Sequence, residues 1–177
     1  MIFWIINIVL LLIIIFLFLL LSMFWPPDSP WAPWWRTNKK TARAMCRLAK
    51  VSKKDIIYDL GCGDGTALIV ASQEFGARGV GIEIDPLRAF ISTLVLHSAK
   101  VQNKIIIKRK NFFDVDISEA SVVFVYLVPK ALERLKPKLL KELKQGTLLV
   151  SFKYKISLPL VFHDKKNDIY LYKINSI

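Results

Sequence analysis

Charge is missing from the first 25 residues. All 26 Lys+Arg and all 14 Asp+Glu follow Trp25, and only Asn7 and Ser22 interrupt an apolar opening run. Cysteine is scarce as well: Cys46 and Cys62 are too few for a disulfide framework or a four-cysteine metal site. The two histidines, His97 and His163, lie far apart with neither H-x-x-H nor H-E-x-x-H spacing, so no metal is expected. No internal repeat or low-complexity tract follows residue 25. A chain of 177 residues leaves no room for a large multidomain enzyme. A single apolar run excludes a multi-span membrane protein. Without that run the remainder is roughly 48% apolar, ordinary for one globular domain, which excludes a disordered chain.

What is present divides the chain into three parts. Residues 1–25 read as a transmembrane anchor. Ile2 to Trp25 would reach about 36 Å as a helix, enough for a bilayer core of roughly 30 Å. No basic residue precedes the run, it is too long for the apolar region of a secretory signal, and no small-x-small cleavage site follows it, so a span is expected instead of a signal. Arg36, Lys39, Lys40, Arg43 and Arg47 flank one side only. The excess of basic residues next to a span marks the cytoplasmic side, so a single-pass protein with its carboxy-terminal domain there is expected. Trp25 and Trp31 suit an interfacial belt, with Trp34 and Trp35 closer to the domain. Residues 26–36 form a linker stiffened by Pro26, Pro27, Pro30 and Pro33, which would keep the domain near the membrane surface. The net charge of +12 lies wholly after the run and favours an anionic lipid surface. A nucleic-acid partner is not expected, because the basic residues are spread without an Arg-rich block or a known nucleic-acid motif.

Residues 37–177 alternate strand and helix. Thr37 or Asn38 can cap a helix reaching about Lys50. Strands are expected at residues 55–60, 79–83, 104–108, 122–127 and 146–152. Helices are expected at 66–75, 86–99 and 130–143, the last interrupted at Pro137. A closing hairpin pairs residues 158–163 with 168–174. This alternation predicts a doubly wound α/β sheet, whose ligands bind at the carboxyl ends of the strands near the switch point beside the first.

The chemistry gathers in Asp59-Leu-Gly61-Cys-Gly63-Asp-Gly65, directly after a strand and before a helix. Glycines there permit a tight turn and let backbone approach a ligand closely. A dinucleotide fingerprint fails, because Thr66 stands at its third glycine position, and a phosphate P-loop fails, because no lysine follows Gly65. What remains is acid-x-G-x-G-x-G with a second acid, Glu83, closing the next strand. A carboxylate in that position can accept both hydroxyls of a ribose.

On these residues the domain resembles the seven-strand, Rossmann-like S-adenosylmethionine-dependent methyltransferases. The resemblance implies S-adenosylmethionine as cofactor. It places Asp59, Gly61, Gly63 and Gly65 beside the methionine moiety, Glu83 on the ribose, and Asn111-Phe112-Phe113 at the adenine. Asn111 stands where that family usually has Asp, and its oxygen can still accept a hydrogen bond. Phe112 would pack on the base, and Asp114 is the alternative adenine contact. The apolar anchor, Pro33-Trp34-Trp35-Arg36-Thr37, the glycine loop and Tyr126-Leu-Val-Pro129 together are similar to one subgroup. These are the membrane-anchored protein-lysine methyltransferases that modify the ATP synthase c-subunit and the adenine nucleotide translocase, with their small prokaryotic relatives. This likeness implies a lysine acceptor on a membrane-associated protein and puts Tyr126 and Pro129 at the catalytic edge. Tyr126 could orient the acceptor amine or simply pack at the sheet end. Thr37 could meet the cofactor carboxylate or cap its helix. A lipid or small-molecule acceptor, and a non-catalytic scaffold, are the competing expectations.

Overall fold

The computed structural model describes residues 2–24 and 35–175. The expected belt residues Trp25 and Trp31, Trp34 and the proline-punctuated stretch 26–33 lie outside the described residues. The apolar run forms one helix, α1 (Ile2–Phe24). Residues Ile2–Leu21 are long and apolar enough to cross a membrane by length and composition, and none is buried. Asn7 Nδ2 donates to the Phe3 carbonyl at 2.7 Å, which gives this amide a partner within the helix.

The rest alternates as its apolar periodicity requires. The elements are α2 (Lys39–Leu48), β1 (Ile56–Leu60), α3 (Thr66–Phe75), β2 (Arg78–Glu83), α4 (Pro86–Ser98), β3 (Ile105–Arg109), a 3-10 turn (Phe112–Asp114), β4 (Val122–Val125), α5 (Pro129–Glu142), β5 (Leu148–Phe152), β6 (Leu160–Asp164) and β7 (Ile169–Lys173). The sheet order is β3-β2-β1-β4-β5-β7-β6. β1 to β5 run parallel, and β7 runs antiparallel to both β5 and β6. The order turns back between β1 and β4, which opens a crevice at their carboxyl ends.

Period-two alternation sorts side chains to the two faces of the sheet. Ile57, Val122, Phe124 and Val150 join Met45 of α2, Leu68 of α3 and Leu96 of α4 in one core. Tyr58, Leu60, Val123, Val125 and Leu149 join Leu132, Leu135 and Leu139 of α5 in the other. Asn38, not Thr37, caps α2: its side chain accepts from the Thr41 N–H at 2.8 Å. α5 runs unbroken through Pro137, contrary to the expected interruption. Pro137 is exposed while Leu135 and Leu139 are buried, so the bond it cannot donate lies on the solvent side, where losing it costs least.

Candidate active site

The glycine loop is fastened to β2 before any ligand is considered. The N–H groups of Gly61 and Cys62 donate to the Ile82 carbonyl at 2.8 and 3.1 Å, and Gly65 N–H donates to the Cys62 carbonyl at 2.9 Å. Gly61, Gly63 and Gly65 adopt φ of 87°, 57° and 75°, the left-handed region that a side chain resists. Gly81, inside β2, is needed for space. A Cβ there would lie 2.6 Å from Ile107 Cδ1 and 2.7 Å from Cys62 Sγ, so this glycine lets the loop settle onto the sheet.

Glu83 joins the two halves of the crevice. Its Oε2 accepts from Gly63 N–H at 2.9 Å and its Oε1 from Asp85 N–H at 3.0 Å. Burial raises its pKa above the ordinary glutamate value, and those two N–H groups with the Arg88 charge pull it back. Asp59, at the end of β1, is fully desolvated. Burial pushes its carboxyl up to about 7, and the charges of Glu83 and Asp64 push it in the same direction. Two buried carboxyls so close together form an acidic floor suited to a cationic ligand.

An open cleft of about 830 Å3 lies over this floor. Thr37, Asp59, Gly61, Gly63, Glu83, Phe112 and Tyr126 line it, so seven of the ten residues singled out in the sequence come together. Three do not line it. Gly65 is the left-handed N-cap of α3, packed near Ser92. Asn111 caps the 3-10 turn, its side-chain oxygen accepting from Phe113 N–H at 3.1 Å, and so presents Phe112. Pro129 is exposed at the first turn of α5. Asp114, the alternative adenine contact, is also exposed and does not line the cleft.

Other lining residues escape a reading of the sequence. Arg36 pairs with Asp64 of the glycine loop and ties the segment before α2 across the mouth. Trp35 meets Tyr126 edge-on with ring centroids 6.3 Å apart, and Tyr126 packs on Phe152 at 4.6 Å. Arg88 is buried on α4, and its own pKa is lowered by burial despite Glu83 and Asp85 nearby. The Asp85 cap, three residues before Arg88, is the one local signal that places this side chain in the first turn beside β2. Burial raises the Tyr126 hydroxyl above its ordinary value, with Tyr154 adding to the effect, so it stays protonated at neutral pH. Burial lifts the Cys62 thiol well above its usual range, so it is no nucleophile. Among the described residues no group of three His, Cys, Asp or Glu side chains could hold a metal ion.

The sheet order, with its antiparallel seventh strand, and the acid-flanked glycine loop define a seven-strand S-adenosylmethionine-dependent methyltransferase. The donor set fits that cofactor: buried acids suit its cationic methionine end and ribose hydroxyls, and Phe112 offers a face for a base. Residues 59–158 match the ANTKMT methyltransferase domain. A protein-lysine N-methyltransferase from Saccharolobus islandicus is 44% identical over 76% of this chain and 82% of its own. A lysine N-methyltransferase from Xenopus laevis, named for the C-subunit of ATP synthase, is 26% identical over 71% of this chain and 53% of its own. Among solved structures, an RNA methyltransferase from Salinibacter ruber in complex with S-adenosyl-L-homocysteine superposes with a TM-score of 0.78 and 36% identity, covering 81% of this chain and 95% of its own. The chain belongs to the ANTKMT methyltransferase domain family and is an S-adenosylmethionine-dependent methyltransferase.

Proposed function

We propose that this methyltransferase transfers methyl groups to lysine side chains of a membrane-associated protein, held beside it by α1 with the domain on the cytoplasmic side. The observation that carries the reading is the cleft, with Asp59 and Glu83 facing across the glycine loop, in a chain 44% identical to a relative named as a protein-lysine N-methyltransferase. The Xenopus relative, named for an ATP synthase component, supports an acceptor in a membrane. The basic flank Arg36, Lys39, Lys40, Arg43 and Arg47 supports the orientation.

In this reading Asp59 faces the methionine ammonium, with Gly61 and Gly63 beneath it and Gly65 holding the loop. Thr37 meets the carboxylate. Glu83 accepts both ribose hydroxyls with the lone pairs its two N–H partners leave. Phe112 packs on adenine, and Asn111 acts through the 3-10 turn it caps, which presents that ring. When bound, S-adenosylmethionine would supply an electrophilic sulfonium methyl for an amine lone pair, with S-adenosylhomocysteine as the leaving group. The protein's part is alignment and desolvation. An acceptor lysine entering the cleft past the Trp35 and Tyr126 rings leaves water, which lowers its pKa and releases its proton to solvent. Tyr126 aligns the amine, and Pro129 fixes the chain leaving β4 through its rigid ring at the start of α5.

A second reading, an RNA acceptor, is favoured by the likeness to the Salinibacter RNA methyltransferase and by the net charge of +12. One experiment separates them. Purified full-length protein is incubated with methyl-labelled cofactor, native membranes and total RNA. The lysine reading expects label in protein, recovered as methyllysine after acid hydrolysis. Label that is ribonuclease-sensitive or extracts with lipid contradicts it.

A further inference from the structure

We propose that the aromatic wall of Trp35, Tyr126 and Tyr154 is the seat on which the acceptor's ammonium first lands, and that Lys153 occupies this seat until the acceptor displaces it. The proposal rests on the lysine reading above and deepens it. Trp35 and Tyr126 line the cleft, and Tyr154 stacks beyond Tyr126 with ring centroids 6.4 Å apart. Lys153 Nζ lies 4.0 Å from the Trp35 ring centroid and 5.8 Å from that of Tyr154. The mouth of the cleft therefore already holds a lysine ammonium, and it is the protein's own.

The backbone behind that placement is unusual. Lys153 has φ of 70°, a conformation a lysine rarely adopts. Three bonds hold it there. Tyr154 N–H donates to the Phe152 carbonyl at 2.9 Å, closing a three-residue turn. Lys153 N–H donates to the Asp168 carbonyl at 2.8 Å, and Ser151 Oγ donates to the Tyr154 carbonyl at 2.6 Å. Strained residues persist where surrounding structure over-determines them, and they cluster at clamps and switches. Here the strained turn delivers a cation to the rim of a cleft whose substrate would be a cation.

The chemistry is self-consistent. An aromatic face attracts a lysine ammonium and attracts its methylated forms as well, so the seat would also retain a partly methylated acceptor for another round. Lys153 is exposed and Trp35 half-exposed, so the internal contact is weak enough for an acceptor to replace it. The seat captures the charged amine. Further in, desolvation removes the proton, and Tyr126, shared by wall and cleft, is where the two stages meet.

The test uses the full chain in non-ionic detergent with an oligolysine peptide as acceptor and tetramethylammonium as a competing cation. Lys153→Met should lower KM for the peptide about two- to fivefold, the strength of one exposed cation–π contact, with kcat within about twofold. Lys153→Arg should keep the wild-type KM, because its cation remains. Lys155→Met removes the same charge two residues away and should leave KM unchanged. Trp35→Leu should raise KM and cancel the effect of Lys153→Met when the two are combined. Tetramethylammonium should compete with peptide beyond a sodium chloride control, and more strongly in Lys153→Met. An unchanged or raised KM in Lys153→Met, an equal fall in Lys155→Met, or tetramethylammonium no better than sodium chloride overturns the proposal. Calorimetry with S-adenosylmethionine on the same variants keeps the failures apart. Loss of the lysine reading shows as no transfer to the peptide by the wild type, whereas loss of the seat shows as transfer that is intact and insensitive to Lys153.

Discussion

Asp59 is where the ligand-free protein holds its acid under the most tension. Its pKa, raised from 3.8 to about 7, means the folded chain keeps a proton there that the unfolded chain releases. The linkage sign follows: as pH climbs from about 4 to about 7, the ligand-free fold loses the stability contributed by the protonated form. Asp59→Asn should therefore flatten part of the decline in melting temperature between about pH 4 and pH 7. A cationic cofactor reverses the preference by favouring the ionised form. Cofactor affinity should weaken by about tenfold per pH unit below roughly pH 6, level off above about 7, and lose this dependence in Asp59→Asn, all measurable by calorimetric titration. Asp59, Gly61, Gly63 and Glu83 were legible in the sequence because a strand end fixes where the next few residues go. The Trp35–Lys153 contact and the Arg36–Asp64 pair were not. Each depends on chain segments 28 or more residues apart meeting at the cleft mouth, and no local pattern records that.

Among the elements, β2 and α5 show what spacing conveys and what it hides. Gly79-Val-Gly-Ile-Glu reads as a strand, yet the need for glycine at 81 is visible only once β3, α3 and the loop pack around it. Gly81→Ala should force Ile107 and Cys62 aside and lower stability by about 1–3 kcal/mol, seen as a melting temperature several degrees lower with weaker cofactor binding. In α5 a proline reads as a break in the sequence. Its position on the exposed side lets the helix continue, because burial of Leu135 and Leu139 outweighs one lost bond. Pro137→Ala should raise stability by about 1 kcal/mol or more, since the restored hydrogen bond exceeds the gain in unfolded-state freedom. The segment before α2 behaves differently. Arg36 is largely exposed, so Arg36→Ala should cost less than about 1 kcal/mol of stability, while loosening of Trp35 and Thr37 weakens cofactor binding a few-fold, an effect that fades in high salt.

At the scale of the whole molecule, the alternation of strands and helices made the doubly wound sheet readable from end to end. The order of its strands was not readable from spacing alone. It depends on which strand edges meet once the helices have packed, and those pair as β3-β2-β1-β4-β5-β7-β6. The proposed anchorage has its own check. Full-length protein should remain with membranes through alkaline carbonate extraction, and a chain beginning at residue 35 should be released. All of this depends on a nucleoside pocket across the tips of β1 and β2. The most direct measurement is calorimetric titration of S-adenosylmethionine into the full chain and into Glu83→Ala, with melting curves establishing that both are folded. The account predicts one equivalent bound by the wild type and an affinity lower by about 100-fold or more in the variant, the worth of two hydrogen bonds to a carboxylate. Equal affinity in a folded Glu83→Ala protein would contradict it.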